Sequence, residues 1–332
     1  MDSMNMMSMD HWIERLKQGH KIAVFTHTRP DADAIGSQVG ICRLLSVMGK
    51  QAVLVNLSTP PQSLRFLLEN GGFVVVNYSP EWGAEYLGEF DLIVVVDTSS
   101  PVQLEPATAL LRPLCDRLIV LDHHISGDIP CSLLVRNTQV PACVEMVAAL
   151  FTRMDRPIDT TTATALLAGL VADTGWFRFD SVRAQTHQLA AQLIEAGASS
   201  SEVYSLTAQQ ETRSKLELMR RALEHMQWFN DQSVAITHIM QSDLRDCQAQ
   251  PWQTEGLVDL ALMVASVGVS ICLSQTVEGK FRASLRSKGS VDANKICSQF
   301  GGGGHVRAAG CQLDGPVEIA IERLVHAIST NK

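Results

Sequence analysis

Two runs in the first half of the chain, 91–96 (DLIVVV) and 117–121 (RLIVL), are apolar at almost every position. A strand with one wet face alternates polar and apolar residues, so these runs belong to a sheet covered on both faces. Residues 21–26 (KIAVFT) and 51–56 (QAVLVN) read as two further strands. Helical stretches are expected over 34–49, 141–153 and 161–172. The alternation predicts an α/β domain built on a mostly parallel sheet with helices on both faces.

From 184 to 230 the pattern is mainly helical, with a break at Gly197-Ala198-Ser199-Ser200-Ser201. Small polar residues of this kind suit a connection between domains. The expected division is a first domain over 1–196, a linker over 197–214 and a second, smaller α+β domain over 215–332, across a cleft from the first. A helix over 211–229 leads into strands near 233–238, 267–277 and 280–286. Glu278-Gly279 reads as the hairpin turn between the last two.

Acidic and histidine side chains gather where the strands end. His27, Asp31 and Asp33 follow the first strand, Asp97 ends DLIVVV, and Asp122-His123-His124 end RLIVL. Asp173 closes a helical stretch before Thr174-Gly175. In an open parallel sheet the loops past the carboxyl ends of the strands converge on one crevice. Each residue also has an ordinary use. Asp31 or Asp33 can cap a helix, Asp97 can sit in a turn, the histidine pair can be surface residues, and Gly175 can stop a helix. Four independent coincidences are then needed, whereas one metal cluster accounts for them together. Carboxylates with a minority of imidazoles suit Mn²⁺ or Mg²⁺, and no thiolate cluster points to structural zinc. Two such ions about 4 Å apart stabilise both the attacking and the leaving oxygen in phosphoryl transfer. Gly36 and Ser37 fit a helix start where backbone approaches closely, and Gly36 and Gly40 equally suit packing of that helix on the sheet.

The net charge of −8 argues against a broad polyanion-coating face. A nucleic-acid substrate should therefore be short, or held by a local basic patch. One such patch exists: Lys280, Arg282, Arg286, Lys288 and Lys295 stand against the single acid Asp292. Arg286 precedes a glycine-rich segment, 301–304, followed by His305. An arginine fork matches phosphate, and successive glycine N–H groups can form an anion nest. A solvated hairpin face and a flexible glycine linker are the alternatives. Eight scattered cysteines without a C-x-x-C pair read as reduced thiols. The Met-rich opening, 1–10, carries Asp2 and Asp10 and does not resemble a signal peptide. No run approaches the roughly 20 apolar residues that span a bilayer. The chain reads as soluble and cytoplasmic, with no membrane partner.

The segments HTRPDADAIGS (27–37), VDT (96–98), DHH (122–124) and DTG (173–175) resemble the four motifs of the DHH phosphoesterase superfamily, in order. FRASLRS (281–287), NKI (294–296), FGGGGH (300–305) and AAG (308–310) resemble its C-terminal DHHA1 domain. The chain is most similar to the group of bifunctional oligoribonucleases and pAp phosphatases, the NrnA type. That resemblance implies release of mononucleotides from short single-stranded RNA and conversion of 3′-phosphoadenosine 5′-phosphate to AMP. It implies one metal on His27, Asp31 and Asp97, and another on Asp33, Asp97, His123 and Asp173, with Asp97 bridging. Asp122 then orients a ligand and His124 faces the phosphate, which makes Asp97, Asp122 and His124 the catalytic set. Arg286, Gly302, Gly303, Gly304 and His305 hold the substrate's terminal phosphate and nucleotide. Mn²⁺ is the first expectation, with Mg²⁺ the alternative. Arg307 is a further binding candidate, and Arg112 and Arg178 are candidates for lining the cleft. Two other readings stand beside this one, a phosphodiesterase for the linear dinucleotide pApA and a catalytically silent nucleotide-binding regulator. A homodimer is compatible with the sequence, which does not fix oligomeric state.

Overall fold

The computed structural model describes residues 3–69, 71–289 and 291–330. Met1 and Asp2 of the Met-rich opening lie outside them. The chain divides into two compact units, Met1–Gln210 and Glu211–Lys332.

The strands of the first unit are β1 (Lys21–Phe25), β2 (Gln51–Asn56), β3 (Val74–Asn77), β4 (Leu92–Val96), β5 (Leu118–Asp122) and β6 (Leu133–Arg136). They form one sheet in the order β3-β2-β1-β4-β5-β6, and every adjacent pair is parallel. Its helices are α1 (Ser3–Gln18), α2 (Ala32–Val47), α3 (Phe66–Glu69), α4 (Pro80–Tyr86), α5 (Thr108–Leu111), α6 (Cys143–Arg153), α7 (Thr160–Asp173), α8 (Ala184–Glu195) and α9 (Ser200–Thr207). All five residues of β4 and of β5 are buried. Alternate residues feed separate cores: Val24, Val94 and Ile119 pack with Trp12, Ile35 and Phe151, while Phe25, Val95 and Val120 pack with Leu87, Phe90 and Leu111. This two-sided burial is why the strands read as unbroken apolar runs.

The sequence reading missed β3 and β6. Both are four-residue edge strands, and β3 leaves Val74 and Val75 exposed, so neither has the buried run that marks the central strands. The break between units, after Gln210, falls inside the expected linker 197–214, but the small-residue stretch at its start belongs to the first unit. Gly197, at φ +105, ends α8, and Ser199 caps α9 by accepting the Glu202 N–H. Helix α9 packs on α7, so the stretch joins two helices of that unit.

The second unit holds α10 (Arg213–Glu224), β7 (Gln227–Phe229), β8 (Val234–Ile239), α11 (Gln241–Asp246), β9 (Val269–Gln275), β10 (Phe281–Ser287), α12 (Ala293–Ser298), β11 (Gly303–Gly304), β12 (Ala308–Leu313) and α13 (Val317–Thr330). Its sheet runs β11-β12-β10-β9-β8-β7, with β8 and β9 parallel and the other pairs antiparallel. Phe281, Ala283 and Leu285 alternate inward from β10 onto Ile296, Leu324 and Ile328. The β9–β10 turn is the expected one, with Gly279 at φ +81 donating to the Thr276 carbonyl. The helix expected over 211–229 ends earlier, at Glu224. Residues 227–229 pair instead with β8, after a reversal through three left-handed residues, Asn230, Asp231 and Gln232. Among the described residues no helix is long and apolar enough to cross a membrane.

Candidate metal centre

The carboxyl edge of the first sheet collects the predicted residues. His27 lies two residues past β1, and Asp31 and Asp33 flank the first residue of α2. Asp97 follows β4, Asp122 ends β5 with His123 and His124 behind it, and Asp173 is the last residue of α7. His27, Asp31 and Asp97 each offer a ligand atom within 4.8 Å of the others, as do Asp33, His123 and Asp173. Asp97 stands between the two sets. Its Oδ2 is 3.4 Å from His27 Nε2 and its Oδ1 is 3.3 Å from His123 Nε2. Asp97 takes the left-handed conformation, φ +61, which Asp tolerates better than most residues. Its own N–H donates to the Leu121 carbonyl at 2.9 Å, which fixes the carboxylate at the sheet edge.

The ordinary readings of two aspartates hold alongside the chemical one. Asp31 caps α2, accepting the Ala34 N–H on Oδ1 at 3.0 Å, and turns Oδ2 to within 3.9 Å of His27 Nε2. Fully buried Asp33 accepts the Cys143 and Val144 N–H groups at the start of α6, at 2.6 and 2.9 Å, while its Oδ2 stays 3.7 Å from His123 Nε2. His27 and His123 each place Nδ1 against a backbone carbonyl, Thr28 at 2.9 Å and Val140 at 3.3 Å. With Nδ1–H donated there, Nε2 of the neutral ring presents a lone pair to the carboxylates.

Those lone pairs make the test of fit. Asp97 Oδ1 and His123 Nε2 are both buried, and neither has a hydrogen-bond partner among the described residues. Leaving a buried acceptor unsatisfied costs about 1–3 kcal/mol. A hard divalent cation satisfies both at once, and the donor set of oxygens with two imidazoles suits Mn²⁺ or Mg²⁺.

Without a cation the cluster takes up protons. Burial opposes the imidazolium, but the Asp97 carboxylate outweighs it and raises both His27 and His123 to about 9. Burial, then the charges of Asp31 and Asp97, push Asp173 up to about 7. Burial and the same kind of crowding by Asp97 and Asp173 push Asp33 well up. Asp97 is held low by His123 and His27 in spite of its burial. His27, His123, Asp33 and Asp173, unlike Asp97, bind more protons folded than unfolded, so their contribution to stability is lost as pH rises through about 7 for Asp173 and about 9 for the histidines. The metal-free protein should therefore melt at a lower temperature at pH 8.5 than at pH 6.5, and Mn²⁺ should raise the melting temperature more at pH 8.5. Equal Mn²⁺ shifts at the two pH values in a scanning-fluorimetry series would contradict this linkage.

His124 is arranged differently. Its Nδ1 is 2.9 Å from Asp122 Oδ1, which also accepts the His124 backbone N–H at 3.0 Å. The ring is thereby turned, and its half-exposed edge is left available. Asp122 is held below the usual carboxylate range, since His124 and Ser99 outweigh its burial. Two residues that the sequence reading missed complete this chain. Ser99 Oγ donates to Asp122 Oδ2 at 2.5 Å, and Arg136 Nη2 donates to Ser99 Oγ and to the Gly127 carbonyl, both at 2.7 Å. Ser99 lies only two residues past Asp97 and was within reach of a pattern reading; Arg136 sits on the unrecognised strand β6.

The predicted binding residues lie in the second unit. Arg286 on β10 pairs in register with Ala308, and Ala308 exchanges two backbone hydrogen bonds with His305. The sheet therefore places Arg286 and His305 on either side of Ala308, two strand spacings (about 10 Å) apart. The Arg286 guanidinium has Asp259 3.8 Å away, with both side chains substantially exposed. Gly302 and Gly304 are explained by close backbone approach. A Cβ on Gly302 would meet the Gly310 carbonyl oxygen at 2.2 Å, and one on Gly304 the Ala308 carbonyl oxygen at 2.5 Å. The Gly302 N–H already donates to the Cys297 carbonyl at 3.0 Å, so the expected anion donor at Gly302 is corrected to a packing role. Gly303 and Gly304 form the short strand β11 opposite Gly310 and Ala309. Arg307 hydrogen-bonds the Gly289 carbonyl, Arg178 Nε donates to the Gly175 carbonyl at 2.7 Å, and Arg112 opens the 3₁₀ turn Arg112–Arg117.

Comparison with known proteins agrees with this layout. Residues 21–170 match the DHH family, N-terminal domain, and residues 247–331 match the DHHA1 domain. The bifunctional oligoribonuclease and PAP phosphatase NrnA of Thermus thermophilus is 31% identical over 310 residues, covering 92% of this chain and 89% of that protein. The cyclic-di-AMP phosphodiesterase GdpP of Geobacillus thermodenitrificans is 28% identical over 94% of this chain, which spans only 48% of that protein. Among solved structures, an exopolyphosphatase-related protein from Bacteroides fragilis shares the fold with a TM-score of 0.88 at 24% identity, over 98% of this chain and 96% of that one. The chain belongs to the DHH family of phosphoesterases and carries a DHHA1 domain as its second part.

Proposed function

We propose that the protein hydrolyses short oligoribonucleotides to mononucleotides and 3′-phosphoadenosine 5′-phosphate to AMP, using two divalent cations, Mn²⁺ first. The observation that carries this is Asp97, whose two carboxylate oxygens face His27 and His123 separately, one toward each donor set. The similarity to NrnA over nearly the whole of both chains supports the substrate class. In this reading His27, Asp31 and Asp97 hold one cation, while Asp33, Asp97, His123 and Asp173 hold the other. Bound divalent ions supply Lewis acidity and neutralise charge developing on the phosphoryl oxygens. The chain's own part is positional. Asp122, kept ionised and hydrogen-bonded by Ser99, turns His124 so that its free edge can protonate the leaving oxygen. Arg286 and His305 bind the substrate's terminal phosphate. Purified protein with Mn²⁺ should release mononucleotide from RNAs of two to five residues and AMP from pAp, and chelation should stop both. Failure on both substrates would end this reading.

A second reading, a phosphodiesterase acting on pApA, is favoured by the similarity to GdpP over 94% of the chain. Rates on pApA, pAp and a mixed-sequence tetramer, measured side by side, separate the two.

A further inference from the structure

The sheet edge that carries the metal ligands also carries a concavity that the chemistry above leaves unused. A cavity of about 330 Å³ lies beyond the ends of β2 and β3, and Asn56, Thr59, Arg65, Leu68, Val75 and Asn77 line it. Ligand cavities begin at about 300 Å³, so there is room for one nucleoside-sized group. Strand register fixes its place. Phe25 pairs with Val55 and Val55 with Val76, so Thr26, Asn56 and Asn77 stand one step further along in line, with His27 directly after Thr26. Two strand spacings amount to about 10 Å between the ends of β1 and β3. The Arg29 N–H donates to Ser58 Oγ at 2.7 Å and ties the ligand-bearing loop to the loop bordering the cavity.

Asn56 gives the cavity its chemical character. It is only 2% exposed, yet its Oδ1 is buried without a hydrogen-bond partner among the described residues. A buried acceptor of this kind calls for a hydrogen-bond donor, which the amino or imino group on a nucleobase edge provides. Leu68 and Val75 offer apolar surface for a base face. Exposed Arg65 shares the lining with the carboxylate of Glu69, is in no ion pair among the described residues, and offers a plane for stacking or a fork for a phosphodiester.

We infer that this cavity is a subsite for a nucleoside unit of the substrate, one position along from the phosphate at the metal centre. The inference rests on the proposed action on short RNA and adds a length preference to it. An oligomer fills the subsite, whereas pAp has a single nucleoside and gains less from it. The test compares wild type, Asn56→Leu and Arg65→Ala with Mn²⁺, measuring KM for a tetraribonucleotide and for pAp. Each variant should raise the ratio of tetramer KM to pAp KM by about tenfold, and an abasic residue placed at successive positions of the tetramer should raise the wild-type KM similarly at one of them. Arg65 is exposed, so its variant reports even if Asn56→Leu folds poorly. Ratios within twofold of wild type in Arg65→Ala and in any folded Asn56→Leu, together with no sensitive abasic position, would mean a solvent-filled cavity only and overturn the subsite. A wild type inactive on both substrates would instead overturn the proposed function, and the subsite with it.

Discussion

Replacing Asp97 with Asn is expected to lower kcat on a short RNA by on the order of 10³ and to reduce bound Mn²⁺ below two ions per chain. Asn is the informative substitution, because it also accepts the left-handed backbone that Asp97 adopts at φ +61. The fold should therefore survive while the bridge is lost. In the wild type each Asp97 oxygen lies within 3.4 Å of a different imidazole, so one carboxylate can serve two cations. The amide provides one oxygen and an N–H₂ group, which cannot ligate a cation. The same change removes the negative charge that raises His27 and His123, so both rings should return toward ordinary histidine behaviour in the metal-free protein. Metal content by atomic spectroscopy, hydrolysis rates and thermal melting check the three parts separately. Wild-type rates with a full metal complement in Asp97→Asn would remove the bridging role.

The strand-end cluster was legible because parallel topology sends strand ends to one edge, and the apolar runs 91–96 and 117–121 announced that topology. Asp31 shows the limit of choosing between explanations, since it caps α2 with one oxygen and faces His27 with the other. What escaped the sequence depended on partners distant along the chain. Arg136 reaches Ser99 from 37 residues away, on an edge strand with no distinctive run. Residues 227–229 (QWF) carry two aromatics that suit a strand, and pairing with β8 decides their state. The pattern of the glycine-rich segment points to its N–H groups, whereas Gly302 is required for its missing side chain against Gly310. Gly36 suits a close-approach helix start or, with Gly40, packing on the sheet; the neighbours the two glycines admit belong to α6 and α7.

Gly36→Ala is expected to destabilise the protein by about 1–3 kcal/mol and to weaken its hold on divalent cations. Helix propensity alone predicts the reverse, since Ala in a helix interior is favoured over Gly by about 1 kcal/mol. Packing should win, because a Cβ at Gly36 would sit 2.5 Å from the backbone oxygen of Ala165, and backbone cannot rotate away as a side-chain tip can. On the facing helix a Cβ at Gly169 would meet Asp33 Cα at 3.0 Å, so α2 and α7 touch nearly backbone to backbone beside a ligand. That closeness brings Asp33, at the start of α2, and Asp173, at the end of α7, to 3.7 and 3.4 Å from the same His123 Nε2. Forcing the helices apart by even a few tenths of an ångström loosens this donor set. Denaturant unfolding in chelator isolates the packing cost, and Mn²⁺ titration of the same variant reads the effect on the site. A Gly36→Ala protein more stable than wild type and equally tight for Mn²⁺ would show that α2 and α7 can separate without disturbing the centre.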